Sequence, residues 1–164
     1  MPRPLSAAAV AALAAIPALS LGGLASARDA RLSAEQFIAA RQASYDMSAM
    51  TNGSMRDAMK AGREPKTQVY PATVLGKWAR VLPSLFPAGT GQGETKLASQ
   101  ALPTIWSDRA GFEQAAANYA AAADKLAEFA KANDTEGFKT QLVELGHACD
   151  ACHARFKAGD QGPK

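Results

Sequence analysis

The sequence lacks any run of basic residues. Its 18 Lys and Arg residues are interspersed with 15 Asp and Glu residues, and the formal net charge is only +3. A nucleic-acid-binding surface needs clustered positive charge. The charges therefore indicate solvated faces, and no nucleic-acid partner is expected.

The sequence also lacks the alternating polar and apolar pattern of half-buried strands, and it has no internal repeat. Hydrophobic residues make up 48% of its 164 residues, which suffices for one compact domain with a core and argues against a disordered chain. An all-α domain is therefore expected.

Residues 1–27 differ from the rest of the chain. Arg3 is their only charged residue, an apolar run extends from Ala7 to Leu21, and residues 25–27 offer a small-x-small cleavage site. This pattern is typical of a secretory signal peptide, and the run is too short and interrupted to favour a membrane span. We expect a signal peptide over 1–27 and a mature domain over 28–164, exported to a periplasm and without a membrane span.

Helical spacing predicts two helices in the first half of the mature domain. Ser33 and Gln36 form a capping-box pattern, which predicts a helix from Ala34 to Ala61. A second apolar pattern predicts a helix over residues 69–82, with Pro71 in its first turn.

Two more helices are expected after a Pro- and Gly-rich connection over residues 83–104. Ser107 is the expected N-cap of the third helix, which ends near Asn133, and Asp134 is the expected N-cap of the fourth, which Gly159 stops. Their apolar stripes keep the 3-4 spacing of core-facing helices: Phe112, Ala115, Tyr119, Ala122, Leu126 and Phe129, then Phe138, Leu142, Leu145, Cys149, Cys152 and Phe156. Four such helices predict an antiparallel four-helix bundle.

The two cysteines of the chain lie in one motif. Cys149, Cys152 and His153 form the C-x-x-C-H pattern of c-type haem attachment, in which two sulfurs bond to the haem vinyl groups and the imidazole ligates the iron. Helix positions i, i+3 and i+4 share one face, so all three side chains can reach one porphyrin. One covalent haem c is the expected cofactor, with His153 as the axial iron ligand.

Other chemistries for the two cysteines stay open as alternatives. A structural zinc site could use the same three residues but lacks a clear fourth ligand, and a disulfide is compatible with export. A reactive thiol pair is disfavoured, because the motif lies near a helix C-terminus, where the dipole raises the thiol pKa.

The chain has one further histidine, His147. It precedes Cys149 by two positions and points about 160° away from it on an ideal helix, so a surface residue is expected. A peroxidase would need a distal His or Arg pair to polarise peroxide. An enzyme is therefore not expected.

Beyond the haem motif, the chain resembles cytochrome c′, the high-spin group of class II c-type cytochromes. The motif lies near the C-terminus and is followed by Phe156 and Lys157, where the family has an aromatic and a basic residue. Arg41-Gln42 in the first helix and residues 102–107 before the third helix also resemble the family pattern. The resemblance covers essentially the whole mature sequence.

The resemblance implies a homodimeric four-helix bundle with five-coordinate iron. It places Tyr45 in the distal pocket, Arg41 against a haem propionate, and Phe156 and Lys157 on the proximal side near His153. It also implies binding of nitric oxide and carbon monoxide together with one-electron redox. A low-spin periplasmic electron-transfer cytochrome of the same class is the alternative, and the redox partner is unknown.

Low-spin relatives use a first-helix methionine as sixth ligand, so the methionines bear on this choice. Relative to Tyr45, Met47 and Met50 lie at about 200° and 140° around an ideal helix. Met55 and Met59 lie about 15 and 21 Å along it. All four are therefore predicted to be packing residues.

Small residues and methionines form a stripe on the first helix, opposite the face of Tyr45. Two copies of this helix could approach closely, so the stripe is the expected dimer interface. It comprises Ala39, Ala40, Ala43, Met47, Met50, Ala58 and Ala61.

Overall fold

The computed structural model describes residues 32–159, and the expected signal peptide lies outside them. Four long helices and one short helix make up the fold, with 3-10 turns at Pro65–Gln68 and Leu82–Leu85. The helices are α1 (Ala34–Lys60), α2 (Val69–Val81), α3 (Thr104–Ser107), α4 (Arg109–Lys131) and α5 (Thr135–Phe156). The long helices form the predicted four-helix bundle. Within the described residues, no helix is long and apolar enough to cross a membrane.

Two of the predicted N-caps are confirmed. The backbone N–H of Gln36 donates to Ser33 Oγ at 3.2 Å, and the N–H of Ser33 donates to Gln36 Oε1 at 2.7 Å, which completes a capping box. Asp134 Oδ1 accepts the N–H of Gly137 at 2.9 Å. These side chains satisfy helix N–H groups that have no intrahelical partner.

The predicted cap Ser107 is wrong by one residue. Ser107 is the last residue of α3, and Asp108 caps α4, with its Oδ1 accepting the N–H of Gly111 at 3.0 Å. The separate turn of α3 uses Ser107, so α4 begins one residue later. Both residue types cap helices, and the sequence pattern does not rank two adjacent candidates.

Helix α5 ends at Phe156 and not at Gly159 as expected. Lys157 is extended, with φ −114° and ψ 131°, and forms an isolated antiparallel bridge with Ala101. The N–H of Leu102 donates to the carbonyl of Phe156 at 3.0 Å. The Pro- and Gly-rich connection therefore forms hydrogen bonds with backbone groups that would bond within α5 if the helix continued for another turn.

The buried residues form two clusters. The larger lies among α1, α2, α4 and α5 and includes most of the two predicted stripes, with Leu126, Phe138 and Leu145 fully buried. The smaller lies at the other end of the bundle, beside the connection, and consists of Leu82, Phe86, Ala101, Ile105, Phe112, Ala116 and Phe156. Partly buried Trp78 packs against both clusters.

Candidate cofactor site

A cavity of about 660 Å³ opens between α1 and α5, with α4 and the connection completing its wall. All of the site residues predicted from the sequence line this cavity: Arg41, Tyr45, Cys149, Cys152, His153, Phe156 and Lys157. The volume lies within the range of roughly 300–1,000 Å³ that is usual for small-molecule and cofactor sites.

Helix α5 presents the C-x-x-C-H residues to the cavity. Cys149 and Cys152 are half-buried, unpaired thiols. Burial raises the pKa of both, that of Cys152 to about 11 with a further contribution from Cys149, so both are protonated at neutral pH. Low-pKa redox thiols show the opposite shift.

His153 lies at the exposed edge of the cavity. Partial burial, and then the nearby charge of Lys157, lower its pKa, while Asp150 acts in the opposite direction. The lowered pKa favours the neutral imidazole, which is the form that ligates a metal. Within residues 32–159, no group of three or more His, Cys, Asp or Glu side chains is arranged to hold a metal ion by itself.

Arg41 is a buried cation on the cavity wall, only 3% exposed. Its Nη1 donates to Thr90 Oγ1 at 2.8 Å, and its Nη2 donates to the Thr90 carbonyl and to Ser99 Oγ. The guanidinium also lies over the Phe86 ring, 4.4 Å from the centroid. Among residues 32–159 no carboxylate forms an ion pair with it.

Tyr45 lies one helical turn after Arg41 and faces the same cavity. Its ring packs edge-on against Trp78, with the centroids 5.7 Å apart. Burial raises the pKa of its phenol, with a smaller contribution from Cys152. The phenol is therefore neutral at physiological pH.

A model of the family described as cytochrome c′ matches residues 36–157. The chain belongs to the cytochrome c′ family. Cytochrome c′ of Rubrivivax gelatinosus is 33% identical over 120 residues, which cover 71% of this chain and 90% of that relative.

Solved structures of cytochromes c′ share the fold. One, a cytochrome c′ with ligand-controlled dimer dissociation, has a TM-score of 0.73 and 25% identity over 78% of this chain and 98% of its own. Another is a ferrous variant from Alcaligenes xylosoxidans with bound nitric oxide, with a TM-score of 0.68, 25% identity and coverage of 78% and 98%.

Membership of the cytochrome c′ family settles the cofactor as one covalent haem c. Members are electron-transfer and gas-binding haem proteins, not enzymes, in agreement with the sequence-based expectation. The residues present fit this group. Two unpaired thiols and an imidazole share one face of α5. A buried cation with no carboxylate partner among residues 32–159 lies on the same cavity wall.

None of the four methionines of α1 lines the haem cavity. Met55 and Met59 are 0% and 8% exposed in the larger core cluster, so their prediction as packing residues is confirmed. Met47 and Met50 were also predicted to be packing residues, and this prediction is wrong for the single chain, where they are 68% and 75% exposed. Ala58 does not belong to the expected surface stripe either, because it is buried in the core.

Sequence reasoning missed several polar residues of the cavity wall, among them Ser48 and Tyr119. Ser48 Oγ and Tyr119 OH lie 2.6 Å apart in a hydrogen bond that joins α1 to α4. Burial raises the pKa of Tyr119 to about 12. The spacing from Tyr45 could have indicated Ser48, which lies on the same face of α1, but the stripe pattern assigned Tyr119 only to the core.

His147 lies on the surface, as predicted. Its side chain is 66% exposed, and Nδ1 lies 3.6 Å from Glu144 Oε1. It lines a shallow groove between α4 and α5, outside the haem cavity.

Proposed function

We propose that this chain is a periplasmic cytochrome c′ that binds small neutral gases, nitric oxide first and carbon monoxide as well, at five-coordinate iron. In this proposal Cys149 and Cys152 hold the haem through thioethers, and His153 is the single axial protein ligand. When bound, the haem supplies an iron that takes up a gas molecule and exchanges one electron.

The composition of the cavity wall is the observation that supports this proposal most directly. Among residues 32–159, His153 is the only histidine on the wall, and no methionine reaches it. Imidazole and thioether are the usual axial ligands of c-type haem. Because the wall offers one such ligand, the imidazole of His153, it supports an open sixth coordination position on the iron. The relative solved with bound nitric oxide has the same fold.

Tyr45 is proposed as the distal residue. A neutral phenol is a weak iron ligand, whereas tyrosinate ligation would need the proton to leave, which the raised pKa opposes. The contact with Trp78 holds the ring in place. Tyr45 therefore acts as a steric gate that a gas molecule must displace.

Arg41 is proposed as the partner of a haem propionate. A buried guanidinium that has only neutral acceptors and an aromatic ring around it is costly without an anion. A carboxylate on the cavity side would supply that anion.

Phe156 and Lys157 are proposed for the proximal side. Phe156 is 3% exposed and packs edge-on against Phe112, with centroids 5.3 Å apart, so it gives the end of α5 a rigid base. Burial, and then the charge of Lys157, lower the pKa of His153, which favours the ligating form of the imidazole.

One absorption spectrum tests the coordination directly. The reduced protein should show a five-coordinate high-spin spectrum that changes on addition of carbon monoxide. A six-coordinate spectrum that carbon monoxide leaves unchanged would instead identify a low-spin electron carrier.

The periplasmic location and the domain division belong to the same proposal. The composition of residues 1–27 supports export to the periplasm. The periplasm is an oxidising compartment, and in this proposal thioether attachment of the haem takes place there. Mass spectrometry of protein isolated from the periplasm should find a chain that begins at Arg28 and carries one haem.

The exposed part of the α1 stripe supports a homodimer. Ala39, Ala43, Met47 and Met50 are all exposed on one side of the helix. One structural relative is described as a dimer that dissociates under ligand control. Contact between two copies of α1 would bury these methionines.

A further inference from the structure

The connection between α2 and α3 crosses the cavity wall and binds Arg41. We call residues 87–101 the strap. Its Thr90 is 0% exposed and its Ser99 is 7% exposed, and the two side chains, with the Thr90 carbonyl, accept every hydrogen bond that Arg41 donates among the described residues. The Pro- and Gly-rich strap thus binds Arg41, which is the only buried charged side chain among residues 32–159.

Thr90 and Ser99 are themselves held in place by further hydrogen bonds. Ser99 Oγ donates to the Thr90 carbonyl at 3.1 Å and accepts the N–H of Ala101 at 3.2 Å, and Thr90 Oγ1 donates to the carbonyl of Pro87 at 2.8 Å. The N–H of Ala158 donates to the carbonyl of Gln100 at 2.8 Å, which ties the strap to the residues that follow α5. The acceptors of Arg41 are therefore preorganised.

This arrangement has an electrostatic consequence. Arg41 uses three of the five hydrogen bonds that a guanidinium can donate, and all three go to neutral groups. Its charge is therefore held at the cavity wall without being neutralised there. A fixed, desolvated positive charge acts strongly on nearby groups, because little water screens it.

We propose that Thr90 and Ser99 are positioning residues that hold the Arg41 charge against the haem edge and thereby set the reduction potential of the haem. This inference rests on the proposed haem site and on the proposed contact of Arg41 with a propionate. A nearby cation favours the ionised propionate and the reduced iron. If the strap releases Arg41 toward solvent, both effects weaken.

Other titratable groups are near enough to be considered in a pH profile. Tyr45, Asp46, His153 and Lys157 line the same cavity. On the strap, Glu94 accepts the N–H of Gly91, and Lys96 is exposed. The variants below leave all of these groups in place, so a shift they cause reports on Arg41.

The test is the midpoint potential of the holoprotein, measured against pH, for Ser99→Ala and Thr90→Val. Each removes one hydroxyl acceptor of Arg41 and nearly keeps the side-chain volume. Both variants should have a lower midpoint potential at neutral pH. The inflection assigned to propionate ionisation should move to higher pH, because the cation that stabilises the carboxylate is less well held.

Two controls belong to this experiment. Thr90→Ser keeps the hydroxyl and should retain the wild-type potential. Thr95→Val removes a strap hydroxyl that donates to the carbonyl of Leu97 and does not touch Arg41, so it should also leave the potential unchanged.

Two results would overturn the proposal. One is a lower melting temperature in Ser99→Ala and Thr90→Val with an unchanged potential and inflection, because the strap would then be structural only. The other is an equal shift for Ser99→Ala in an Arg41→Gln background, because the hydroxyl would then act without Arg41. Failure of the proposed function looks different, since the wild-type protein would then show a six-coordinate spectrum that carbon monoxide leaves unchanged.

Discussion

In the proposed site, the thiols of Cys149 and Cys152 determine how firmly the haem is held. Both line the cavity three residues apart on α5, so a haem bonded to them should stay on the protein when the fold is destroyed. Denaturation in acid and organic solvent should leave the haem attached to the wild-type chain. Cys149→Ala and Cys152→Ala should each lower the yield of holoprotein, because one vinyl group then stays unreacted. Free extraction of haem from the wild type would contradict covalent attachment.

Tyr45 determines access to the iron if it is the distal gate. Tyr45→Ala should open space beside the iron and raise the carbon monoxide association rate, measured by flash photolysis. Loss of the ring contact with Trp78 should lower the free energy of unfolding by about 3 kcal/mol.

Tyr45→Phe is the matched control for that variant. It keeps the ring and its packing and loses only the hydroxyl, so the association rate should change far less. Equal rates for the wild type and Tyr45→Ala would remove Tyr45 from the distal pocket.

At the residue scale, the sequence was sufficient to predict a set of side chains that the fold brings to one cavity. The C-x-x-C-H spacing on a helix explains why Cys149, Cys152 and His153 share a face. The acceptors of Arg41 were not predictable, because Thr90 and Ser99 lie 49 and 58 residues away in a segment without periodicity. Only the folded path of the strap brings them to α1.

At the scale of the helices, the start of α4 provides a direct test of the corrected cap. Asp108→Ala should lower the free energy of unfolding by about 1 kcal/mol, because the N–H of Gly111 loses its acceptor and the exposed Arg155 loses its ion-pair partner. Ser107→Ala is the matched control and should change it very little, since Ser107 makes no cap hydrogen bond. Urea unfolding of the holoprotein measures both. A larger loss of unfolding free energy for Ser107→Ala than for Asp108→Ala would instead identify Ser107 as the cap, as the sequence predicted.

The predictable and unpredictable parts of the helices differ in physical origin. Ser33 and Asp134 were correct caps because a local hydrogen bond decides each of them. The end of α5 was missed because Lys157 pairs with Ala101, 56 residues earlier in the chain. Local patterns carry no information about such a partner.

At the scale of the whole molecule, the exposed methionines of α1 are one feature that a single chain leaves unexplained. Met47 and Met50 are 68% and 75% exposed and lie on the side of the helix away from the haem cavity. Periodicity predicted their direction correctly. It could not tell a buried face from an exposed one, because both can carry apolar residues.

Ala43→Glu tests whether this face joins two copies. In a homodimer built on the stripe of α1, the new carboxylate would be buried without a partner, which is unfavourable enough to separate the subunits. Analytical ultracentrifugation should therefore give a dimer mass for the wild type and a monomer mass for Ala43→Glu. Ala117→Glu is the control, because Ala117 is an exposed alanine on α4, and it should remain dimeric. A dimer mass for Ala43→Glu would place the interface on another face of the bundle.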